Sequence, residues 1–113
     1  MAQITITNDQ HQVVDFYIIE EDLFNKLLSV QQANQIQFFT YESLLELKQS
    51  FLSALLDKFQ IRNKNKNQIW HTNKANFYAL SLYPWYEQFV ALIDAIEKLN
   101  YSLCELQVHL TSN

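Results

Sequence analysis

Apolar residues recur at helical spacing most clearly over residues 41–59, where Tyr41, Leu44, Leu45, Leu47, Phe51, Leu52, Leu55, Leu56 and Phe59 follow the i, i+3, i+4, i+7 rule. Thr40 stands where a side-chain oxygen caps a first turn. At ~100° per residue these positions cover about half the helix circumference, wide enough for a central core helix. Lys48 interrupts the arc, falling between Leu55 and Tyr41 on the wheel. Burying an unpaired ammonium is costly, so the expected arrangement lays its methylene stem on the core with the amine in water or against a carboxylate. The alternative makes that part of the arc a functional surface. The opposite face carries Ser43, Ser50, Ser53 and Ala54 beside Glu46 and Asp57, small enough to be half covered by another element.

Elsewhere the period changes from element to element. Residues 3–7 alternate in the strand manner, residues 13–19 (VVDFYII) are a second β-rich run, and residues 8–12 between them suit a hairpin connection. Glu20, Glu21 and Asp22 then open a helix whose apolar face is Leu23, Phe24, Leu27 and Leu28, and three acids in a first turn suit the helix macrodipole. Asn34 is the expected end of that helix, and residues 35–40 (QIQFFT) read as a short strand before the central helix. Beyond it, residues 62–68 read as a polar loop, and residues 69–72 and 77–82 as two strands joined by residues 73–76. Pro84 begins a last helix with Trp85, Phe89, Leu92, Ile93, Ile96 and Leu99 on one side and Glu87, Asp94 and Lys98 on the other, and Asn100 is its expected left-handed stop. In residues 101–110, Leu106, Val108 and Leu110 alternate with Glu105, Gln107 and His109, as in a closing strand. The order β-β-α-β-α-β-β-α-β predicts an α+β fold, a mostly antiparallel sheet with about three helices packed on one face.

The chain of 113 residues, 49% hydrophobic and 14% aromatic, is expected to form a single globular domain, residues 1–113. It lacks a basic-then-apolar leader and any apolar run near the ~20 residues of a membrane span, so a soluble chain with no membrane partner is expected. One cysteine, Cys104, makes no internal disulfide, and a reducing compartment, the cytoplasm, is expected. The abundance of Asn, Gln, Lys and Ile suggests a bacterial or phage origin. There is no glycine, so the ten asparagines are the expected residues wherever φ is positive. Phosphate loops, dinucleotide fingerprints and nucleophile elbows need glycine at fixed places, and none is present in standard form.

His11, His71 and His109 fall in three different elements, so neither a metal site nor a Cys/His nucleophile pair is expected, and Cys104 reads as a buried inert thiol. Carboxylate pairs such as Glu42 and Glu46 have the spacing of ordinary solvated helix charges. No enzyme activity and no cofactor are expected. Charge, by contrast, is segregated. From residue 58 to residue 86 there are five cations (Lys58, Arg62, Lys64, Lys66, Lys74) and no acid, a net +5, while the other residues hold twelve acids and three lysines, a net −9.

Segregated charge, abundant aromatics and the lack of a catalytic motif point to a specific interface. The expected function is a small protein-binding inhibitor, such as an immunity protein neutralising a toxin or a phage inhibitor of a bacterial defence enzyme. Its expected contacts are Glu20, Glu21 and Asp22 on the acidic side and Arg62, Lys64, Lys66 and Trp70 on the basic side. The alternative is a nucleic-acid-binding or regulatory module using residues 62–78, where lysines meet phosphates and Trp70, His71, Phe77 and Tyr78 offer stacking rings. Against it stands a net charge of −4 and a pI near 5.2. A homodimer is a further possibility.

Overall fold

The computed structural model describes residues 2–58, 76–77, 79–99 and 101–112. Strand β1 (Ala2–Thr7) lies between β2 (Val13–Ile18) and β3 (Gln107–Ser112) and is antiparallel to both. Its alternation divides it cleanly: Ala2, Ile4 and Ile6 are at most 1% exposed, while Gln3, Thr5 and Thr7 face the other way. Helices α1 (Glu21–Asn34), α2 (Tyr41–Lys58) and α3 (Pro84–Glu97) supply Leu23, Phe24, Leu27, Leu44, Leu47, Phe89, Leu92, Ile93 and Ile96 to the core against that inner face. The fold is α+β, with a three-stranded antiparallel sheet.

Helix α2 begins with a reciprocal cap. Thr40 Oγ1 accepts from the Ser43 amide at 3.1 Å, and Ser43 Oγ accepts from the Thr40 amide at 2.8 Å. Its first half enters the main core through Leu44 and Leu47. Its second half, through Leu52 and Leu55, forms a smaller cluster with Ala79 and Tyr86. Phe51 joins the two, edge-on to Trp85 at 5.3 Å and to Phe89 at 5.5 Å. Tyr86 is fully buried, donates to Asn76 Oδ1 at 3.0 Å, and has its phenol pushed up to about 12 by that burial. Lys48 is half-buried.

Several expectations are corrected. Residues 35–40 contribute only one bridge, in which Phe39 and Val108 exchange two amide bonds of 2.8 Å. Residues 76–77 and 79–82 are helical where a strand over 77–82 was expected, and Ser81 Oγ bonds the Phe77 carbonyl one turn back at 3.0 Å. Tertiary packing of Ala79, which is wholly buried, overrides the β propensity of Phe77. The expected strand over 69–72 lies outside the described residues, as does Asn100. The closing strand starts at Gln107, after a 3-10 turn over Leu103–Glu105.

Positive φ falls on His11 (62°) and Gln35 (54°), and on no asparagine among the described residues. Asn8 works through its side chain instead: its Oδ1 accepts the amides of Gln10 and Gln12, each at 3.0 Å, and so organises the loop between β1 and β2. Gln35 ends α1 with a Schellman pattern, its amide bonding the Gln32 carbonyl while the Ile36 amide reaches that of Gln31. A left-handed residue with a Cβ carries a steric cost that glycine avoids. Gln35→Gly is therefore expected to stabilise the fold by about 1 kcal/mol, read as a higher urea midpoint at unchanged slope. An unchanged or lower midpoint would show that this turn carries no such cost.

Candidate protein-interaction surface

Strand β2 is an edge strand, and its apolar residues are divided between two faces. Val14, Tyr17 and Ile19 turn inward to the core, while Val13, Phe16 and Ile18 project from the outer face, 65%, 55% and 56% exposed. A bulge between Ile6 and Thr7 of the β1 pairing leaves Val14 as the extra residue, which brings Val13 to the same face as Phe16 and Ile18. Beside this row run Gln3, Thr5 and Thr7 of β1 and Gln107, His109 and Thr111 of β3, by register. None of these carries a formal charge with histidine neutral. Three large apolar side chains in a row on an uncharged face form a contiguous patch of the kind that marks interaction sites.

The edge itself is not open. The Ile19 amide bonds the Ala2 carbonyl at 3.1 Å, and with the observed register this places Ile4/Tyr17 and Ile6/Asp15 in hydrogen-bonded pairs. Phe16 and Ile18 therefore turn their amides away from β1, toward the free edge. Asp15 Oδ1 accepts the Phe16 amide at 2.8 Å, and its Oδ2 accepts the Tyr17 hydroxyl at 2.9 Å. Burial, then this carboxylate, raises the Tyr17 pKa above its ordinary value. An inward-placed charge on an edge strand is one way proteins discourage strand-to-strand association.

At the end of β2 the chain turns through Glu20, whose amide donates to Gln88 Oε1 of α3 at 2.7 Å. This contact helps frame a hollow of about 160 Å³ lined by Ile18, Gln88, Ala91, Leu92 and Ala95. Along α3, Glu87, Ala91, Asp94 and Lys98 follow one another at helical spacing on the exposed side. Of the expected contact residues, Glu20 stands before the first turn of α1, and Glu21 and Asp22 stand in it; all three are exposed. Asp22 also borders a wider hollow of about 520 Å³ with Asn25, Lys26 and Trp85, where Lys26 Nζ sits 4.5 Å from the Trp85 ring centroid. Arg62, Lys64, Lys66 and Trp70 lie outside the described residues. The sequence reading took residues 13–19 only as a strand and missed the exposed row; the signal it held is Asp15, a lone acid inside an apolar run.

Two further groups, His109 and Cys104, lie apart from the row. At the far end of the outer face, His109 Nε2 is 3.0 Å from Thr7 Oγ1, and its ring lies 5.6 Å from that of Phe38. Burial and then the neighbouring His11 hold its pKa below the ordinary 6.5. Cys104, expected to be buried, is exposed in the 3-10 turn beside Ser102 Oγ at 3.1 Å, because the chain there is a surface turn and not a strand. No helix among the described residues is long and apolar enough to cross a membrane. No family model, curated protein or solved structure matches this chain.

Two outcomes follow from these geometries. Asp15→Ala frees the Phe16 amide at the edge, so sedimentation is expected to show more self-association than the wild type at equal concentration. Equal association would mean that Asp15 is not the barrier. Because the folded chain favours neutral His109, its stabilisation is complete above pH 6.5 and is lost as pH falls through the lower folded value. Between about pH 7 and about pH 5, the wild-type urea midpoint should therefore drop further than that of His109→Gln. Parallel drops would remove His109 as a source of acid sensitivity.

Proposed function

We propose that this chain is a small protein-binding inhibitor, of the kind represented by an immunity protein that neutralises a toxin or a phage protein that blocks a bacterial defence enzyme. One observation carries the reading: the row of Val13, Phe16 and Ile18, each more than half exposed, set on an edge strand that leads into the acidic turn of Glu20, Glu21 and Asp22. Apolar anchors at the centre of an interface supply affinity, and surrounding charge supplies orientation and speed of encounter. Such a protein acts by occlusion, covering a groove or active site of its partner with a surface that needs no chemistry of its own. The exposed free thiol of Cys104 supports a reducing compartment as the place where it works.

The test is a tagged pull-down from source-cell lysate at two salt concentrations, with and without nuclease, using the wild type and a Phe16→Ser/Ile18→Ser variant. Both positions are exposed, so the variant is expected to keep the wild-type melting curve within the small range typical of surface changes. One dominant protein should survive nuclease and moderate salt with the wild type and be lost, at least tenfold, with the variant. Capture that is unchanged in the variant would sink the reading. Recovery of nucleic acid in place of a protein would transfer the function to the basic residues 62–78.

A further inference from the structure

We infer that the segment received beside β2 is an amphipathic helix of the partner, its apolar stripe flanked by lysine or arginine, seated on the ledge formed by Ile18, Ala91 and Ala95. This rests on the inhibitor reading and adds to it the chemistry of the partner. The first argument is shape. The end of β2 and one flank of α3 bound the hollow of about 160 Å³, and two of the four residues of its α3 wall, Ala91 and Ala95 beside Gln88 and Leu92, are small. Small residues let a second helix approach closely and set its own large side chains into the groove, as i, i+3, i+4 and i+7 anchors.

The second argument discriminates between a helix and a strand. A strand added to β2 would need the outward amide of Phe16, which Asp15 Oδ1 already holds at 2.8 Å. Bonds to a carboxylate are stronger than neutral ones, so strand addition begins by breaking the better bond. A helix satisfies its own backbone and asks nothing of that edge.

Charge supplies the third argument and separates a foreign partner from a second copy. Glu20 directly follows Ile19 of the hollow's lining, and Glu87 and Asp94 flank Ala91 at helical spacing on the exposed side of α3, against one cation there, Lys98. None of these acids makes an ion pair with another described residue. A helix with cations on both sides of its stripe finds complementary charge all along this rim. A second copy is a poorer match, because each of its described helices carries more acids than lysines, two against one in α1, three against two in α2 and three against none in α3.

The experiment is fluorescence anisotropy with a labelled 18-residue helix-forming peptide of leucine and lysine in amphipathic order, of about five turns. Two peptides serve as controls, one with glutamate for every lysine and one with the same leucines and lysines scrambled so that no stripe forms. The lysine helix should bind, more weakly as salt rises, and the two controls should bind at least tenfold more weakly. Ile18→Lys and Ala91→Arg should each reduce its binding at least tenfold, Glu87→Lys several-fold, and Glu46→Lys, on α2 outside the hollow, by less than twofold. Equal binding of all three peptides, or an effect of Glu46→Lys as large as that of Glu87→Lys, would overturn the inference by showing attraction to net charge alone. A wild-type dimer abolished by Ile18→Lys would also overturn it, by giving the ledge to a second copy. If the lysine helix fails to bind while Phe16→Ser/Ile18→Ser still abolishes capture of the cellular partner, the helix is wrong and the inhibitor reading stands.

Discussion

A sheet of three strands has one strand with two neighbours and two strands with one, and the unpaired backbone of the outer two is the constraint on which this molecule depends. The two edges are finished differently. On β3, Phe39 exchanges a pair of amide bonds with Val108, and its buried ring seals that side of the core. On β2 the finish is a side chain: Asp15 closes the Phe16 amide and leaves the outer row free to meet something other than a strand. The inner face is covered by helices and, among the described residues, no helix covers the outer face, so the sheet presents one apolar row there.

The helices hold that row in place at a distance. Helix α2 is the shared wall of both apolar clusters, and the contacts of Phe51 with Trp85 and Phe89 fix α3 against it. Tyr41 adds a hydrogen bond from its hydroxyl to Glu97, which raises the phenol pKa to about 12. At the other side of α3, Gln88 takes the Glu20 amide. Thus α3 is tied to α2 near its C-terminal end and to the β2–α1 turn in its first half. Ala91 and Ala95 line one hollow with Ile18, and these ties connect that hollow to the core packing.

Much of this was legible in the chain. The periods of residues 3–7, 21–34, 41–58 and 84–97 mark β1 and the three helices, since each has one apolar side and one polar side. Of the three acids expected in the first turn of α1, Glu21 and Asp22 stand in it and Glu20 stands just before it. Residues 77–82 misled because Phe77 and the alternation around it favour a strand locally, whereas the buried contact of Ala79 favours a helix. The candidate surface was hidden for a different reason. The run VVDFYII is apolar on both sides, so periodicity says nothing about which side meets water; that depends on strand order, which puts β2 at an edge. Asp15 was the visible clue, because a carboxylate inside such a run has a natural role only where the strand has no neighbour.

The bulge at Val14 has a consequence for how such a protein changes over generations. It sorts β2 so that Val14, Tyr17 and Ile19 keep the fold while Val13, Phe16 and Ile18 meet the outside. Folding and recognition are thereby written on interleaved letters of one short word. Substitutions at the outer letters can change what the strand presents to its surroundings while the inner letters, and the stability they confer, stay untouched.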